Sequence, residues 1–197
     1  MLEREIIHPF LTGRDLAQSP EERYVIDVNH LSEQELELKY PKTYQWLIEN
    51  VKPVRDINND LRLRREWWRY RRSNAIMRDG IQELDGYILT PRTAKHRCFT
   101  FRSKNVLPES EIIVIFLDDM YYLGVLSSKT HVTWALAAGG DLGGNTPRYN
   151  NTVCFDPFPF PDPTDTQKQT IRELGERLDS HRKRVQANHP EVTITGM

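Results

Sequence analysis

The sequence predicts a mixed α/β (α+β) fold: a twisted, largely antiparallel sheet flanked by helices, with a protruding carboxy-terminal helix. Short β-branched runs bounded by turn-forming residues alternate with segments in which apolar residues recur every three or four positions. With 197 residues, of which 38% are hydrophobic and 10% aromatic, the chain is long enough and apolar enough to bury a core. We expect one domain over residues 1–163, a helix over 164–188 and a frayed tail over 189–197.

The first part of the chain is predicted to be mainly helical after one strand. Residues 24–28 have the β-branched content of a buried strand. Ser32 and Glu35 have the spacing of a capping box, and Pro41 suits the first position of a second helix. A long polar helix is predicted over 60–78, which contains neither Gly nor Pro. The apolar residues that share one face of the helix after Pro41 are Tyr44, Leu47, Ile48 and Val51.

The middle of the chain is predicted to contain most of the sheet. Its β-branched or aromatic runs, separated by turn-forming residues, occupy 86–90, 97–101 and 111–117. A helix is predicted over 125–138, where apolar and small residues recur at helical spacing. The glycine-rich residues 139–147 predict a loop, and residues 148–155 predict a further strand.

The carboxy-terminal segment predicts a separate helix. Thr164 and Gln167 have the spacing of another capping box at its start. Its narrow apolar stripe suits a neighbouring domain or chain better than the core of this domain. The stripe consists of Ile171, Leu174, Leu178 and Val185.

Composition argues against several classes of protein. No apolar run approaches the roughly 18 residues that a membrane-spanning helix needs, and the first residues lack the basic and apolar regions of a signal peptide. The two cysteines, Cys98 and Cys154, are far apart and have no metal-ligand spacing. The sequence therefore predicts a reduced, cytoplasmic protein without a metal site.

Positive charge is concentrated in one part of the chain. The net charge is only −1, but residues 52–104 carry 14 basic and 6 acidic side chains. Six arginines within 62–72 are interleaved with aromatic residues, which predicts contact with the DNA backbone. The alternative is a solvated helical face with two tryptophans in the core. Arginines in 92–104 are also expected to hold phosphates. The predicted backbone contacts within 62–72 are Arg62, Arg64, Arg65, Arg69, Arg71 and Arg72.

The glycine-rich loop is the second candidate for contact with DNA. Its pattern is GGxxGG rather than a phosphate-binding pattern, and no helix is predicted to begin after it. Its polar side chains suit base edges in the major groove, because Asn pairs with adenine, Arg with guanine and Asp with cytosine. The alternative is a mobile surface connection without a binding role.

Three patterns that resemble catalytic motifs are incomplete. Asp156 opens an Asp-Pro-Phe-Pro tetrapeptide that lacks the second proline of the amino-methyltransferase motif. Asp27 with Glu37 and Lys39 has the loose spacing of a magnesium nuclease site, but the latter two fall in a predicted helix. His131 shares a helix with two serines and has no orienting carboxylate nearby in the sequence. We therefore predict no catalytic residue in this chain.

Several segments are informative as an ordered set rather than singly. They are Thr12-Gly-Arg-Asp15, Tyr24-Val-Ile-Asp27, Val51-Lys-Pro-Val-Arg55, Arg65-Glu-Trp-Trp68, the run from Leu123 to Trp134, Arg148-Tyr-Asn150 and Phe158-Pro-Phe-Pro161. Their order and spacing over residues 6–188 resemble the target-recognition region of MmeI-like type IIG restriction-modification enzymes. In that family one polypeptide holds a nuclease, an adenine-N6 methyltransferase, a recognition domain and a helical tail. The resemblance implies base reading by Asp141, Gly143, Asn145, Thr146 and Arg148.

The resemblance also implies what this chain does within such an enzyme. It would be the sequence-specific module that positions double-stranded DNA for a methyltransferase domain outside this chain, and S-adenosylmethionine would bind to that domain. Two alternatives stay open. One is a protein-interaction or scaffold module that uses the arginine- and tryptophan-rich segment, and the other is a degenerate methyltransferase fragment in which the Asp156 tetrapeptide is a decayed motif.

Overall fold

The computed structural model describes residues 3–17, 21–72, 74–140 and 146–194, and it confirms a mixed α/β fold with a long carboxy-terminal helix. The helices are α1 (Gly13–Ala17), α2 (Glu33–Lys39), α3 (Pro41–Asn50), α4 (Lys52–Asp56), α5 (Leu61–Arg65), α6 (Ala75–Ile81), α7 (Met120–Leu126), α8 (Lys129–Ala138) and α9 (Asp165–Asn188). The strands are β1 (Ile7–Leu11), β2 (Tyr24–Ile26), β3 (Gly86–Pro91), β4 (Thr100–Ser103), β5 (Leu107–Pro108) and β6 (Ile112–Ile115).

The chain divides into two compact units. The first unit contains Met1–Pro9 and Tyr24–Arg78, and the second contains Phe10–Arg23 and Asp79–Met197. Each unit has its own cluster of buried apolar side chains. None of the helices in the described ranges is long and apolar enough to cross a membrane.

Local capping chemistry fixes where the helices of the first unit begin. The predicted capping box is confirmed, because Ser32 Oγ accepts from the amide of Glu35 at 3.2 Å and the Ser32 amide donates to the Glu35 carboxylate at 2.9 Å. Pro41 begins α3, also as predicted, since its fixed φ suits a first helical position.

The core of the first unit lies between α2, α3 and the chain that follows α5. Leu36 and Leu47 pack there with the indole of Trp67, and β1 pairs antiparallel with β2, where Ile7 lies opposite Ile26. The predicted apolar face of α3 is confirmed, because its residues belong to this cluster: Tyr44, Leu47, Ile48 and Val51.

The long helix predicted over 60–78 is wrong. Helix α5 ends at Arg65, and the chain turns so that two indoles reach groups from an earlier segment. Trp67 Nε1 donates to the Glu33 carboxylate at 2.9 Å, and Trp68 Nε1 donates to the Leu31 carbonyl at 3.0 Å. These long-range hydrogen bonds and the burial of Trp67 replace the local helical bonds that the sequence pattern favours.

A three-stranded sheet forms the centre of the second unit, with β3 between β4 and β6 and both pairs antiparallel. Every residue of β3 is buried, and Ile88 lies opposite both Phe101 and Ile115. The three predicted runs are therefore confirmed as strands of one sheet. The middle one begins at Thr100 rather than at 97, because the side chain of Thr90 bonds the Cys98 carbonyl at 2.8 Å in place of a ladder bond.

Two boundaries after the sheet differ from the prediction. The helix expected over 125–138 is two helices, because Ser128 caps α8 by accepting from the amide of His131 at 3.2 Å. The strand expected over 148–155 is wrong. Asn150 Oδ1 accepts from the amide of Thr152 at 3.2 Å and starts a π-helical turn over Asn151–Phe155.

Helix α9 packs against α7 within the second unit. Its predicted capping box is confirmed, with Thr164 and Gln167 exchanging hydrogen bonds. A Cβ on Gly175 would lie 2.2 Å from the carbonyl oxygen of Met120, so this crossing needs a glycine. The predicted contact of α9 with a neighbouring domain or chain stays a prediction. Within the predicted tail, Ile194 is 5% exposed.

Candidate nucleic-acid interface

The arginine-rich segment is anchored to the first unit by its aromatic residues and by one arginine. Arg69 donates to the Leu31 carbonyl at 2.9 Å and lies 5.4 Å from the ring of Trp68. Trp67 is buried in the core of the first unit. Arg69 therefore holds the segment in place, and part of the alternative interpretation, tryptophans packed in a core, describes this end of the cluster.

Two further arginines make weak surface ion pairs. The side chain of Arg62 is 61% exposed, with its Nε 3.3 Å from Glu66, and that of Arg71 is 78% exposed, with its Nε 3.9 Å from Asp60. Exposed pairs of this kind contribute little to stability, since water and salt screen them. Their guanidinium groups can therefore exchange these partners for a phosphate at small cost.

The remaining three arginines of the cluster carry unneutralised charge. Arg64, Arg65 and Arg72 are exposed and form no ion pair with any residue in the described ranges. They belong to a segment whose backbone is fixed by the indole hydrogen bonds. The result is a rigid, exposed cationic surface, which we call the arginine surface and define as Arg62, Arg64, Arg65, Arg71 and Arg72.

The glycine-rich loop is described at its two ends. The predicted base-reading residues Asp141, Gly143 and Asn145 lie outside the described residues. Thr146 is half-buried, and Arg148 is exposed. The amide of Arg148 donates to the Gly140 carbonyl at 2.8 Å, so the two ends of the loop meet.

A second set of bonds joins the end of the loop to residues beside the sheet. Arg148 forms an isolated antiparallel bridge with Thr93, and the amide of Tyr149 donates to the Arg92 carbonyl at 2.7 Å. The two described ends of the loop are therefore held together, like the neck of an Ω-loop.

Buried aromatic rings form the support below the loop. Tyr149 is fully buried and its hydroxyl lies 3.3 Å from Nε2 of His131, while Nδ1 of His131 bonds the Leu126 carbonyl at 2.9 Å. Burial lowers the pKa of His131, and burial likewise raises the pKa of Tyr149. Both groups are therefore neutral at pH 7 and serve as rigid packing elements.

Two of the three patterns that resembled catalytic motifs have their central side chain engaged in other contacts among the described residues. His131 is enclosed by aromatic rings and meets no carboxylate there. Asp27 forms a bidentate ion pair with Arg78, with an Nη2–Oδ1 distance of 2.7 Å, which engages its carboxylate. No cluster of three metal-ligating side chains occurs in the part of the chain that the structure describes. The candidates for contact with DNA are therefore the arginine surface and, separately, the glycine-rich loop with its closed ends.

Sequence reasoning assigned the arginines of 92–104 to phosphates and missed the structural use of one of them. Arg97 donates to the Pro147 carbonyl at 3.2 Å and lies 5.2 Å from the ring of Tyr149. These partners are 50 and 52 positions away, and no local pattern signals such contacts.

Comparisons with known proteins identify the family and the fold of this chain. A family model described as the MmeI target recognition domain matches residues 2–162. DNA methyltransferase A of Bacillus subtilis (strain 168) is 37% identical over 62 residues, which cover 32% of this chain and 7% of that protein. The solved structure of the type IIL restriction-modification enzyme MmeI in complex with DNA matches with a TM-score of 0.73 at 19% identity. This match covers 98% of the chain and 25% of that structure's chain, so the present chain spans about a quarter of its length.

Proposed function

The chain belongs to the MmeI target recognition domain family, and from this we propose that it recognises a short sequence in double-stranded DNA on behalf of a DNA methyltransferase. The arginine surface would hold phosphates without regard to sequence, and the glycine-rich loop would read base edges. This division follows the general rule that phosphate contacts position a protein on DNA while base contacts specify the site.

The observation that carries the proposal is the arginine surface. Three of its five arginines lack an ion-pair partner among the described residues, and the other two are themselves exposed, with partners that are 25% and 38% exposed. Its backbone is held by two indole hydrogen bonds, so little backbone conformational entropy is lost when phosphates bind. A polyanion with regularly spaced charges is the partner that this arrangement fits best.

Base reading is assigned to the tip and the far end of the loop. Arg148 belongs to the closed neck and its side chain is exposed, and an arginine in the major groove pairs bidentately with guanine. Thr146 would contribute a hydroxyl. The three residues outside the described ranges, Asp141, Gly143 and Asn145, complete the proposed reading set.

The chemistry of methyl transfer would belong to another domain of the same enzyme. The proposed reaction is adenine-N6 methylation in the cytoplasm, with S-adenosylmethionine bound by the methyltransferase domain and the target adenine flipped into its pocket. The present chain would determine the position along the duplex at which the enzyme binds. The DNA and the methyltransferase domain are its proposed partners.

Salt dependence tests the role of the arginine surface. We would measure binding of the intact enzyme to a duplex of random sequence over a range of salt concentrations. Replacing Arg64, Arg65 and Arg72 together with Gln should reduce the slope of log K against log salt by about 0.9 for each phosphate that the variant no longer neutralises. The control is Lys39→Gln, which removes an exposed charge from the same unit.

The results discriminate among the candidate functions. An unchanged slope in the triple variant would refute phosphate contact by this surface. Binding of an acidic protein partner that weakens when these arginines are replaced, in an enzyme that does not bind duplex DNA, would instead favour the scaffold alternative, which uses the same arginine- and tryptophan-rich segment. Binding of S-adenosylmethionine by this chain alone, measured by calorimetry, would favour the degenerate methyltransferase fragment.

A further inference from the structure

We propose that Arg97 and Gly139 are positioning residues that clamp the neck of the glycine-rich loop and so determine which bases the loop can read. The inference rests on the proposed function of the loop as a base reader. It adds that sequence preference depends on the shape of the loop's support as well as on the side chains at its tip.

The guanidinium group of Arg97 joins the loop to the end of β3. Its Nη2 donates to the carbonyl of Pro147 at 3.2 Å, and its Nη1 donates to Thr90 Oγ1 at 3.0 Å and also to the carbonyl of Pro91. The Pro147 carbonyl accepts a second bond, from the amide of Ala94 at 3.3 Å. The residue before Arg148 is therefore held from two sides.

A ring fixes the plane of this guanidinium. Arg97 lies 5.2 Å from the ring of Tyr149, which is packed in turn against Phe99 at a centroid distance of 5.5 Å. Arginine combines a planar fork of donors with a face that stacks on an aromatic ring, whereas lysine offers only a compact ammonium group. A lysine at this position would keep the charge and lose the three-way geometry.

The surroundings of Arg97 indicate that it holds neighbouring backbone groups in place and does not act through an ion pair. No carboxylate pairs with Arg97 within the described ranges, and its donors meet two carbonyls and a hydroxyl. Burial lowers the pKa of this guanidinium, which shows that its site opposes the charge. Arg97 is half-buried, and a cation removed from water without a carboxylate beside it is costly, so its value lies in the atoms that it holds together.

Gly139 closes the other side of the neck. A Cβ at this position would lie 2.4 Å from the carbonyl oxygen of Arg148 and 2.7 Å from that of Ala135. Its φ of −71° is accessible to any residue, so the requirement for glycine comes from close approach. Both atoms belong to the backbone and cannot rotate away, and an added methyl group would push the loop's end from α8.

The adjacent glycine provides a matched control. Gly140 accepts the 2.8 Å hydrogen bond from the amide of Arg148 through its carbonyl, but a Cβ on Gly140 would meet nothing within 4 Å. Alanine at 140 therefore leaves the neck closed, while alanine at 139 opens it. The two variants are identical in composition.

The experiment selects bound sequences from a randomised duplex library with the intact enzyme and compares affinity for the preferred site with affinity for single-base variants. Arg97→Lys should reduce this discrimination by about tenfold, since displacing one base contact has the effect of a mismatched base pair. Its salt slope on random DNA should stay unchanged because the charge is kept. The control is Arg177→Lys, which makes the same exchange at an exposed arginine of α9, outside the segments predicted to contact DNA.

The glycine pair keeps the inference testable if Arg97→Lys does not fold. Gly139→Ala should lose discrimination while binding random DNA as well as the parent enzyme, and Gly140→Ala should match the parent. Folded Arg97→Lys or Gly139→Ala enzyme with full discrimination would overturn the inference, as would an equal loss of specific and non-specific binding. A separate variant, Arg148→Gln, tests the loop as reader, and an unchanged sequence preference there would refute the proposed function itself.

Discussion

Replacing Gly175 with alanine tests the packing of α9 on α7 at its tightest point. The added Cβ would lie 2.2 Å from the Met120 oxygen and 3.2 Å from the amide nitrogen of Gly124. Ordinary contact begins at 3.4 Å, so α9 must move away by about 1.2 Å locally. A gap of this size forfeits much of the dispersion energy of neighbouring contacts, among them that of Ile171 over Gly124.

Two opposing effects set the magnitude. Alanine improves helix propensity by about 0.5–1 kcal/mol over glycine, whereas forcing an extra carbon into a tightly packed contact costs roughly 1–3 kcal/mol. The clash is with backbone atoms that cannot relax by rotation, which puts the cost at the upper end. We therefore expect Gly175→Ala to lower the free energy of unfolding by about 2–2.5 kcal/mol.

Urea unfolding followed by circular dichroism measures this effect. Ser180→Ala is the control, because Ser180 is exposed on the same helix and its replacement changes propensity without adding a clash. It should leave stability unchanged or slightly raised. A Gly175→Ala variant as stable as the parent chain would show that α9 does not cross α7 as closely as 2.2 Å implies.

Three further predictions concern caps, charge and one indole. Ser32→Ala removes both bonds that the Ser32 hydroxyl makes in the capping box and should cost about 1 kcal/mol in urea unfolding. The bidentate hydrogen bonds of Arg172 hold the pKa of Asp119 below its usual value. Asp119 therefore stabilises the fold at a pH above the usual pKa of an aspartate, and this stabilisation is lost as the pH falls through the lowered pKa. Melting curves of the parent and Asp119→Asn should therefore differ at pH 7 and converge in acid. Trp67→Phe keeps a buried ring but loses the bond to Glu33, and should cost about 0.5–1.5 kcal/mol or more in the same urea assay.

Helix starts and buried strands could be predicted from the sequence because their causes are local. The two capping boxes each require only residues three positions apart, at Ser32 and at Thr164. Strands β3 and β6 are short runs rich in apolar and β-branched residues that are buried along almost their whole length, as Ile88 and Ile113 illustrate. Such signals survive folding because tertiary contacts reinforce them.

The failures share a different physical cause. The helix over 60–78 was favoured by local propensity, but Trp67 and Trp68 gain hydrogen bonds to residues more than 30 positions earlier, which only the folded chain brings near. For the same reason the sequence does not predict the hydrogen bond between Arg97 and the loop, since Arg97 and Pro147 are 50 positions apart. Tertiary hydrogen bonds of this range outweigh propensities worth tenths of a kcal/mol per residue.

The number of arginines in a segment predicts that it is cationic but does not predict which of the arginines are exposed. The six arginines within 62–72 predict six equivalent contacts with phosphates. The fold makes them unequal, because Arg69 is held by a carbonyl and a ring while Arg64, Arg65 and Arg72 face solvent without ion-pair partners among the described residues. If DNA binds through exposed charge, Arg64→Gln should lower the salt slope and Arg69→Gln should mainly lower thermal stability. A reversed pattern would mean that the stacked arginine, rather than the exposed ones, meets the phosphates.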